Sequence, residues 1–257
     1  MKEKKVNRKL KEKNEKIKGI KIGKGFEIYD LALKYKDILI FGDFHLGYEE
    51  SMNKQGILIP RFQIKDTISR VAKILMSVGE VETIVLTGDV KHEFGKIYDD
   101  EWMGVLALID FMKEHCRRLI ILEGNHDKVT KYITERREVI PKKEFAVDDL
   151  ILLHGDIVPQ KREILSKAKT VIIGHEHPAI TLREKKESIR TEKLKCFIKG
   201  MWKGKDIIVL PSFNLLTEGN DIRGKLLSPF LKGSLKKFEI WVVADKVRYF
   251  GRLKDLA

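Results

Sequence analysis

Six of the seven histidines in this chain stand in short polar clusters that each follow a run of apolar residues. The clusters also contain Asp, Asn and Gly. Imidazole nitrogens combined with carboxylate and amide oxygens form a donor set suited to manganese, iron or zinc, and unsuited to copper(I) or an iron–sulfur cluster. The candidate donors are Asp43, His45, Asp89, Asn125, His154, His175 and His177.

A set of this size without a thiolate is too large for one tetrahedral zinc ion and suits two ions with octahedral preference. Two ions held side by side are the arrangement that proteins use for in-line phosphoryl chemistry. A lone Asp at a strand end is more often a cap or a turn former. That structural explanation fails for the whole set, because it would have to account for six histidines beside Gly or Asp at five places.

Five short apolar runs rich in β-branched residues precede these clusters, and we predict that they are strands buried on both faces. In open α/β sheets the carboxyl ends of the strands form the crevice where ligands bind, so the clusters should converge in space. The runs are 38–41, 83–86, 119–122, 150–153 and 170–173.

Helical periodicity between the strands predicts helices over 60–78, 99–116 and 160–168. After Pro178 the pattern changes to strands and turns, with strands expected over 179–183, 194–202, 207–211 and 238–250. Strands that alternate with helices indicate an α/β fold, to which the C-terminal part adds further sheet.

The ordered series D-x-H, G-D-x-x-H, G-N-H-D, H-G-D and G-H-x-H runs from Asp43 to His177. This series resembles the calcineurin-like metallophosphoesterase superfamily. The second motif, Gly88-Asp-Val-Lys-His92, lacks the Arg of the serine/threonine phosphatases and is most similar to archaeal SbcD-related phosphoesterases. The resemblance implies a four-layer α/β/β/α sandwich of two mixed sheets.

The resemblance also implies how the donors divide between two metal ions. Asp89 would bridge both ions. The ligands of one ion alone would be Asp43, His45 and His177. The ligands of the other alone would be Asn125, His154 and His175.

Three further residues match positions that the family uses in catalysis. His126 would stabilise the transition state or protonate the leaving oxygen, and Asp127 would orient it. His92 would contact the scissile phosphate or help to position a nucleic acid, although a structural role is an equal alternative. His115, in a predicted helix, is expected to interact only with the helix dipole.

We therefore expect a metal-dependent phosphoric ester hydrolase that cleaves phosphodiesters, with nucleic acid as the first substrate class. The alternatives are a phosphodiesterase or phosphatase for nucleotides or other small phosphoesters, and a non-catalytic nucleic-acid binder of the same fold. Two divalent ions are the expected cofactors, with manganese first and iron, zinc or nickel as alternatives. DNA and RNA are the expected partners, and a homodimer is an open option.

The composition bounds the class of protein. The chain has 257 residues, 43% of them hydrophobic, and 2 Cys, which argues against a disordered chain or a disulfide scaffold. No stretch approaches the roughly 20 apolar residues of a membrane span. We expect a cytoplasmic protein without membrane contact.

The net charge of +13 is unevenly distributed along the chain. Residues 1–25 hold 11 basic and 3 acidic side chains, and we expect a disordered or frayed tail there. Residues 26–257 should form a single domain, with its motifs in 43–177 and a β-rich half in 178–257. The segment 26–182, which contains the donors, is acidic with a net charge of −4, as befits a site for two cations.

Overall fold

The computed structural model describes residues 16–60, 62–92, 99–127, 132, 134–160, 162–183 and 191–256. Two mixed sheets dominate it. The first sheet contains, in spatial order, β1 (Ile20–Gly23), β2 (Phe26–Tyr29), β3 (Ala32–Tyr35), β4 (Ile38–Phe41), β5 (Thr83–Leu86) and β6 (Arg118–Ile121). The first four strands are antiparallel neighbours, whereas β4, β5 and β6 run parallel.

The second sheet is larger. Its strands are β7 (Glu144–Val147), β8 (Leu150–Leu153), β9 (Thr170–Ile173), β10 (Pro178–Arg183), β11 (Thr191–Trp202), β12 (Lys205–Val209), β13 (Asn220–Asp221), β14 (Glu239–Val243) and β15 (Val247–Arg252). Their order is β13-β10-β11-β12-β9-β8-β7, with β14 paired to β11 and β15 paired to β14. Strands β8, β9 and β12 are parallel neighbours.

The uninterrupted apolar runs follow from burial on both faces of the second sheet. Leu152 and Ile172 point into the core between the two sheets, whereas their chain neighbours Ile151 and Val171 belong to a second core on the outer face. Successive side chains of a strand point to opposite faces, so a strand covered on both sides needs apolar residues at every position.

Four α-helices have bounds within the described ranges: α1 (Tyr48–Lys54), α2 (Gln63–Val78), α3 (Asp99–Lys113) and α4 (Arg162–Ser166). Helices α2 and α3 pack over the first sheet. Leu165 of α4 joins the core on the outer face of the second sheet. The layers therefore form the expected α/β/β/α sandwich of two mixed sheets. None of these helices is long and apolar enough to cross a membrane.

The structure confirms the five predicted strands before the motifs and corrects several boundaries. Helix α2 begins at Gln63 rather than at residue 60, because the buried Glu49 carboxylate accepts the backbone N–H groups of Phe62 and Gln63. It ends at the expected Gly79, whose φ is 81°. The short helix α1 and strands β2 and β3 were not predicted.

The predicted boundary of the N-terminal tail is wrong. Residues 1–15 lie outside the described part of the chain, but Ile20–Gly23 form β1 within the segment expected to be a tail. Ile22 is 5% exposed and packs in the core between the sheets. The alternation of isoleucine and lysine in Ile20-Lys21-Ile22 is a strand pattern that the surrounding charge obscured.

Candidate metal centre

The ten residues proposed for the site all follow strands at one edge of the sandwich. The segments come directly after β4, β5, β6, β8 and β9, whose carboxyl ends meet there. Segments from both sheets are joined at this edge, because the backbone N–H of Phe213 donates to the Asp43 carbonyl at 2.7 Å. The clusters therefore converge, as the parallel strand order requires.

The first donor group consists of Asp43, His45 and His177, whose ligand atoms lie within 4.8 Å of one another. His177 Nε2 lies 2.8 Å from Asp43 Oδ2 and 3.2 Å from His45 Nε2. The Asp43 carboxylate is completely buried, and it also accepts the Thr87 hydroxyl at 3.0 Å and the backbone N–H of His175 at 3.0 Å. These bonds orient the carboxylate towards the two imidazoles.

The second donor group surrounds His154. Its Nε2 lies 3.0 Å from Asn125 Oδ1 and 3.2 Å from His175 Nδ1. Its Nδ1 lies 2.9 Å from the Thr87 carbonyl oxygen, to which it donates, so Nε2 is the ring nitrogen that faces the centre. Asn125, His154 and His175 are thus placed together, as proposed from the sequence.

The Asp89 carboxylate lies between the two groups. Its Oδ2 is 3.4 Å from His154 Nε2 and 3.8 Å from His45 Nε2, so one oxygen faces a member of each group. Its Oδ1 accepts the backbone N–H of His126 at 2.8 Å. A carboxylate in this place can serve two cations at once.

The spacing of these donors fits metal ligands. Two atoms bound to one ion at about 2.1 Å lie about 3.0 to 3.4 Å apart when the angle between the bonds is octahedral or tetrahedral. The nitrogen pairs His45–His177 and His154–His175 are each 3.2 Å apart. Mixed nitrogen and oxygen donors suit divalent ions such as Mn²⁺, Fe²⁺ and Zn²⁺. The residues present therefore fit a dinuclear centre.

Electrostatics keep most of the donors in the form that binds metal. Burial opposes ionisation of Asp43 and Asp89, but the surrounding histidines, with His154 first, together outweigh it and hold the pKa of both carboxyls below the usual range. Burial lowers the pKa of His45 to about 3 and also lowers that of His175. Burial acts likewise on His154, but the two carboxylates raise its pKa to about 10. Metal binding must therefore displace a proton from His154.

Four of the donors have a left-handed backbone that side chains rarely adopt. The φ angles are 46° at His45, 46° at Asp89, 60° at His175 and 50° at His177. Such conformations cost of order 1–3 kcal/mol each and persist only where the surrounding structure holds them. Strain of this kind is concentrated at functional sites.

Two glycines allow the backbone to approach the central carboxylates. A Cβ at Gly124 would collide with the Asp89 carboxylate, and one at Gly174 would collide with Asp43 and with the Thr87 hydroxyl. Each glycine belongs to a motif, in Gly124-Asn-His and in Gly174-His. The close approach explains why these positions have no side chain.

The three candidates for catalysis lie at the same centre. His126 Nδ1 is 2.6 Å from the His92 carbonyl oxygen, and its Nε2 is 3.9 Å from Asp89 Oδ2. The His92 ring stacks on the His126 ring with centroids 5.8 Å apart. The Asp127 carboxylate accepts the backbone N–H groups of Val90 and Gly124. Asp127 thereby joins the second and third motifs.

Thr87 lies at the site but was not predicted from the sequence. Its hydroxyl contacts Asp43 and its carbonyl oxygen contacts His154, so it holds one member of each donor group. Its position two residues before Asp89 in Thr-Gly-Asp was the available signal. His115 lies outside the centre, with Nδ1 2.8 Å from the Phe111 carbonyl oxygen near the end of α3.

Several solved structures of other proteins resemble this chain. The chain is similar to the crystal structure of Pseudomonas putida nuclease MPE, with a TM-score of 0.61 and 18% identity over 91% of this chain and 100% of that chain. Weaker likenesses are to Vacuolar Protein Sorting 29 from Cryptosporidium parvum (TM-score 0.38, 12% identity, 83% and 94% covered) and to Chaetomium thermophilum Vps29 (0.35, 13%, 83% and 94%).

A comparison with curated proteins gives no match. A family model described as calcineurin-like phosphoesterase matches residues 36–199. The matched region spans more than half of the chain and contains all ten residues proposed for the site. The chain belongs to the calcineurin-like phosphoesterase family.

Proposed function

We propose that this chain is a manganese-dependent phosphodiesterase that cleaves nucleic acid. The observation that carries the proposal is the Asp89 carboxylate between two groups of metal donors, with one oxygen 3.4 Å from His154 and 3.8 Å from His45. The family is described as calcineurin-like phosphoesterase, and two metal ions held side by side serve in-line phosphoryl chemistry. The choice of manganese rests on the mixed imidazole, carboxylate and amide donors.

The bound ions would neutralise charge on the phosphate oxygens and activate the attacking water. The chain itself supplies the groups that hold those ions and a titratable imidazole beside them. The His126 Nδ1–H donates to the His92 carbonyl oxygen, which leaves Nε2 directed towards the centre, 3.9 Å from Asp89 Oδ2. In its protonated form His126 can donate from Nε2 to the leaving oxygen.

Nucleic acid is the proposed substrate for two reasons. The similar Pseudomonas putida protein is named a nuclease, and it is covered over its whole length. The chain also carries a net charge of +13, concentrated outside the acidic segment that contains the donors, and such an excess attracts a polyanion.

The test is a substrate panel assayed with Mn²⁺ and with a chelator. The panel comprises labelled single- and double-stranded DNA, RNA, a cyclic nucleotide, a nucleotide monoester and a bis-aryl phosphodiester. We expect Mn²⁺-dependent cleavage of DNA or RNA. Cleavage of the small phosphoesters without cleavage of DNA or RNA would refute nucleic acid as the substrate class and favour small phosphoesters. If no substrate of the panel is cleaved, the enzymatic proposal is refuted.

His126→Ala tests the proposed acid. We expect kcat on the preferred substrate to fall by about 10²- to 10⁴-fold, the usual contribution of a positioned proton donor. Two bound manganese equivalents should remain, because the proposed ligands are other residues. His115→Ala is the matched control, since that imidazole is exposed and lies outside the centre. Equal activity of the two variants would remove His126 from the mechanism.

A further inference from the structure

The fully buried carboxylate of Glu176 is not used by the chemistry described above. It lies in the fifth motif, between the candidate ligands His175 and His177. A buried carboxylate is stable only if hydrogen bonds or charges replace the water it has lost. Its partners therefore show what holds this turn in place.

All the hydrogen bonds that the structure shows for this carboxylate come from one C-terminal segment. Oε1 accepts the Asn220 side-chain amide at 2.6 Å. Oε2 accepts the backbone N–H groups of Leu227 and Ser228, each at 2.8 Å. Hydrogen bonds to a charged acceptor are about twice as strong as those between neutral groups. We call residues 219–228 the clasp.

The clasp is also bonded to the main chain of the metal-binding loops. The backbone N–H of Asn220 donates to the His177 carbonyl oxygen at 2.8 Å. The Ser228 hydroxyl donates to the Gly155 carbonyl oxygen at 2.6 Å, next to His154. The clasp thus contacts two of the loops that carry the proposed ligands.

The turn that the clasp holds is under backbone strain. His175 and His177 both have left-handed φ angles, of 60° and 50°, and Glu176 N–H bonds back to the Gly174 carbonyl oxygen at 2.6 Å. The relaxed chain would leave this conformation, because it is unfavourable for residues with a Cβ. Three hydrogen bonds at the central residue oppose that relaxation.

We propose that Glu176 is a positioning residue which, bound by the clasp, holds His175 and His177 in the geometry that binds two metal ions. This inference rests on the proposed function, since it assumes that both histidines are ligands. It assigns the C-terminal half a part in the metal centre. The two histidines flank Glu176 and belong to different donor groups. Loss of the hydrogen bonds to Glu176 therefore weakens the binding of both ions.

The experiment compares Mn²⁺ affinity with stability in three variants. Glu176→Gln removes the charge and one acceptor, whereas Asn220→Ala removes one donor to Glu176 and leaves its charge. Asp221→Asn is the matched control, because it removes a charge within the clasp from a carboxylate that bonds to Thr181 and Arg223. The chelator-treated full chain is titrated with Mn²⁺ by calorimetry, and thermal unfolding of the metal-free protein is recorded in parallel.

We expect Glu176→Gln to weaken binding of both manganese equivalents by about 10- to 100-fold, as is typical when a partner that orients metal ligands is lost. Asn220→Ala should weaken both in the same direction by a smaller factor. Asp221→Asn should lower the unfolding temperature and leave the affinity unchanged. If Glu176→Gln does not fold, Asn220→Ala against Asp221→Asn decides the question.

Wild-type affinity in both Glu176→Gln and Asn220→Ala would overturn the proposal. If only Glu176→Gln weakened Mn²⁺ binding, the effect would come from the charge of Glu176, and the positioning role would be overturned. Equal losses of affinity in Asn220→Ala and Asp221→Asn would show general destabilisation and would also overturn it. Absence of Mn²⁺ binding by the wild-type chain would refute the metal centre itself. Binding of two equivalents without hydrolysis would refute the proposed reaction and leave the positioning role intact.

Discussion

At the scale of single residues, the centre depends on how each donor is oriented by a neighbour. The Nδ1–H of His154 donates to the Thr87 carbonyl oxygen, which directs Nε2 to the centre. Asp43 accepts the Thr87 hydroxyl and the His175 backbone N–H. Donors held in this way would lose little freedom on binding an ion, so the site is suited to metal before any ion binds.

Asp89 is the residue whose loss should affect both ions. Asp89→Asn keeps the shape but removes the charge that faces both donor groups, so we expect the variant to retain neither manganese ion after dialysis. Elemental analysis measures the bound equivalents. Asp245→Asn, which alters an exposed carboxylate paired with Arg248, should retain two. Retention of two equivalents by Asp89→Asn would contradict the bridging position.

At the scale of elements, the candidate donors lie in the turns that follow the buried strands. Each buried strand stops at a turn whose backbone is left-handed or glycine-bearing, as at His45, Gly88 and His175. These turns bring main chain from neighbouring strands so close that Gly124 and Gly174 have no room for a Cβ beside the carboxylates. The turns that end the strands therefore also position the donors.

Gly174→Ala tests whether the centre requires this close approach of the main chain. The added methyl group would collide with the Asp43 carboxylate and the Thr87 hydroxyl, so we expect a loss of about 1–3 kcal/mol in the free energy of unfolding and weaker Mn²⁺ binding. Gly233→Ala is the control, because a Cβ there meets no atom within 4 Å. Urea unfolding of both metal-free variants measures the difference. Equal stability would show that the turn can move aside.

At the scale of the whole molecule, the two sheets are joined directly beneath the centre. Phe41 and Phe44 come from the end of β4, and Phe213 follows β12 of the other sheet. Ring centroids lie 5.4 Å apart for Phe41 and Phe213, and 4.7 Å apart for Phe44 and Phe213. All three are almost completely buried. Sheet packing thus determines the distance between candidate donors that follow strands of different sheets.

Removal of the Phe213 ring should therefore destabilise the whole fold. We expect Phe213→Ala to lower the free energy of unfolding by about 3–5 kcal/mol, the usual loss for a buried aromatic residue. The control Phe62→Ala removes a phenyl ring from a position that is 58% exposed. This substitution should change the free energy of unfolding by less than about 0.5 kcal/mol. Chemical denaturation of the metal-free proteins measures both. Similar values would mean that the aromatic contact between the sheets is dispensable.

Much of this molecule could be predicted from local patterns. The β-branched runs predicted β4, β5, β6, β8 and β9, because burial on both faces requires apolar residues at every position. Strand β1 was missed because its two isoleucines stand in a segment dominated by lysine. The pairing of β12 beside β9 was also not predictable, since it joins residues about 36 positions apart through long-range register rather than local periodicity.

The sequence by itself determined the chemistry: which donor types are present, their order, and their position at strand ends, since these are properties of side chains and of local periodicity. Only the tertiary structure decided how far apart the donors lie, that Thr87 holds His154 and Asp43, and that the clasp binds Glu176. These contacts join segments distant along the chain. Their geometry depends on how two sheets pack, which no local pattern encodes.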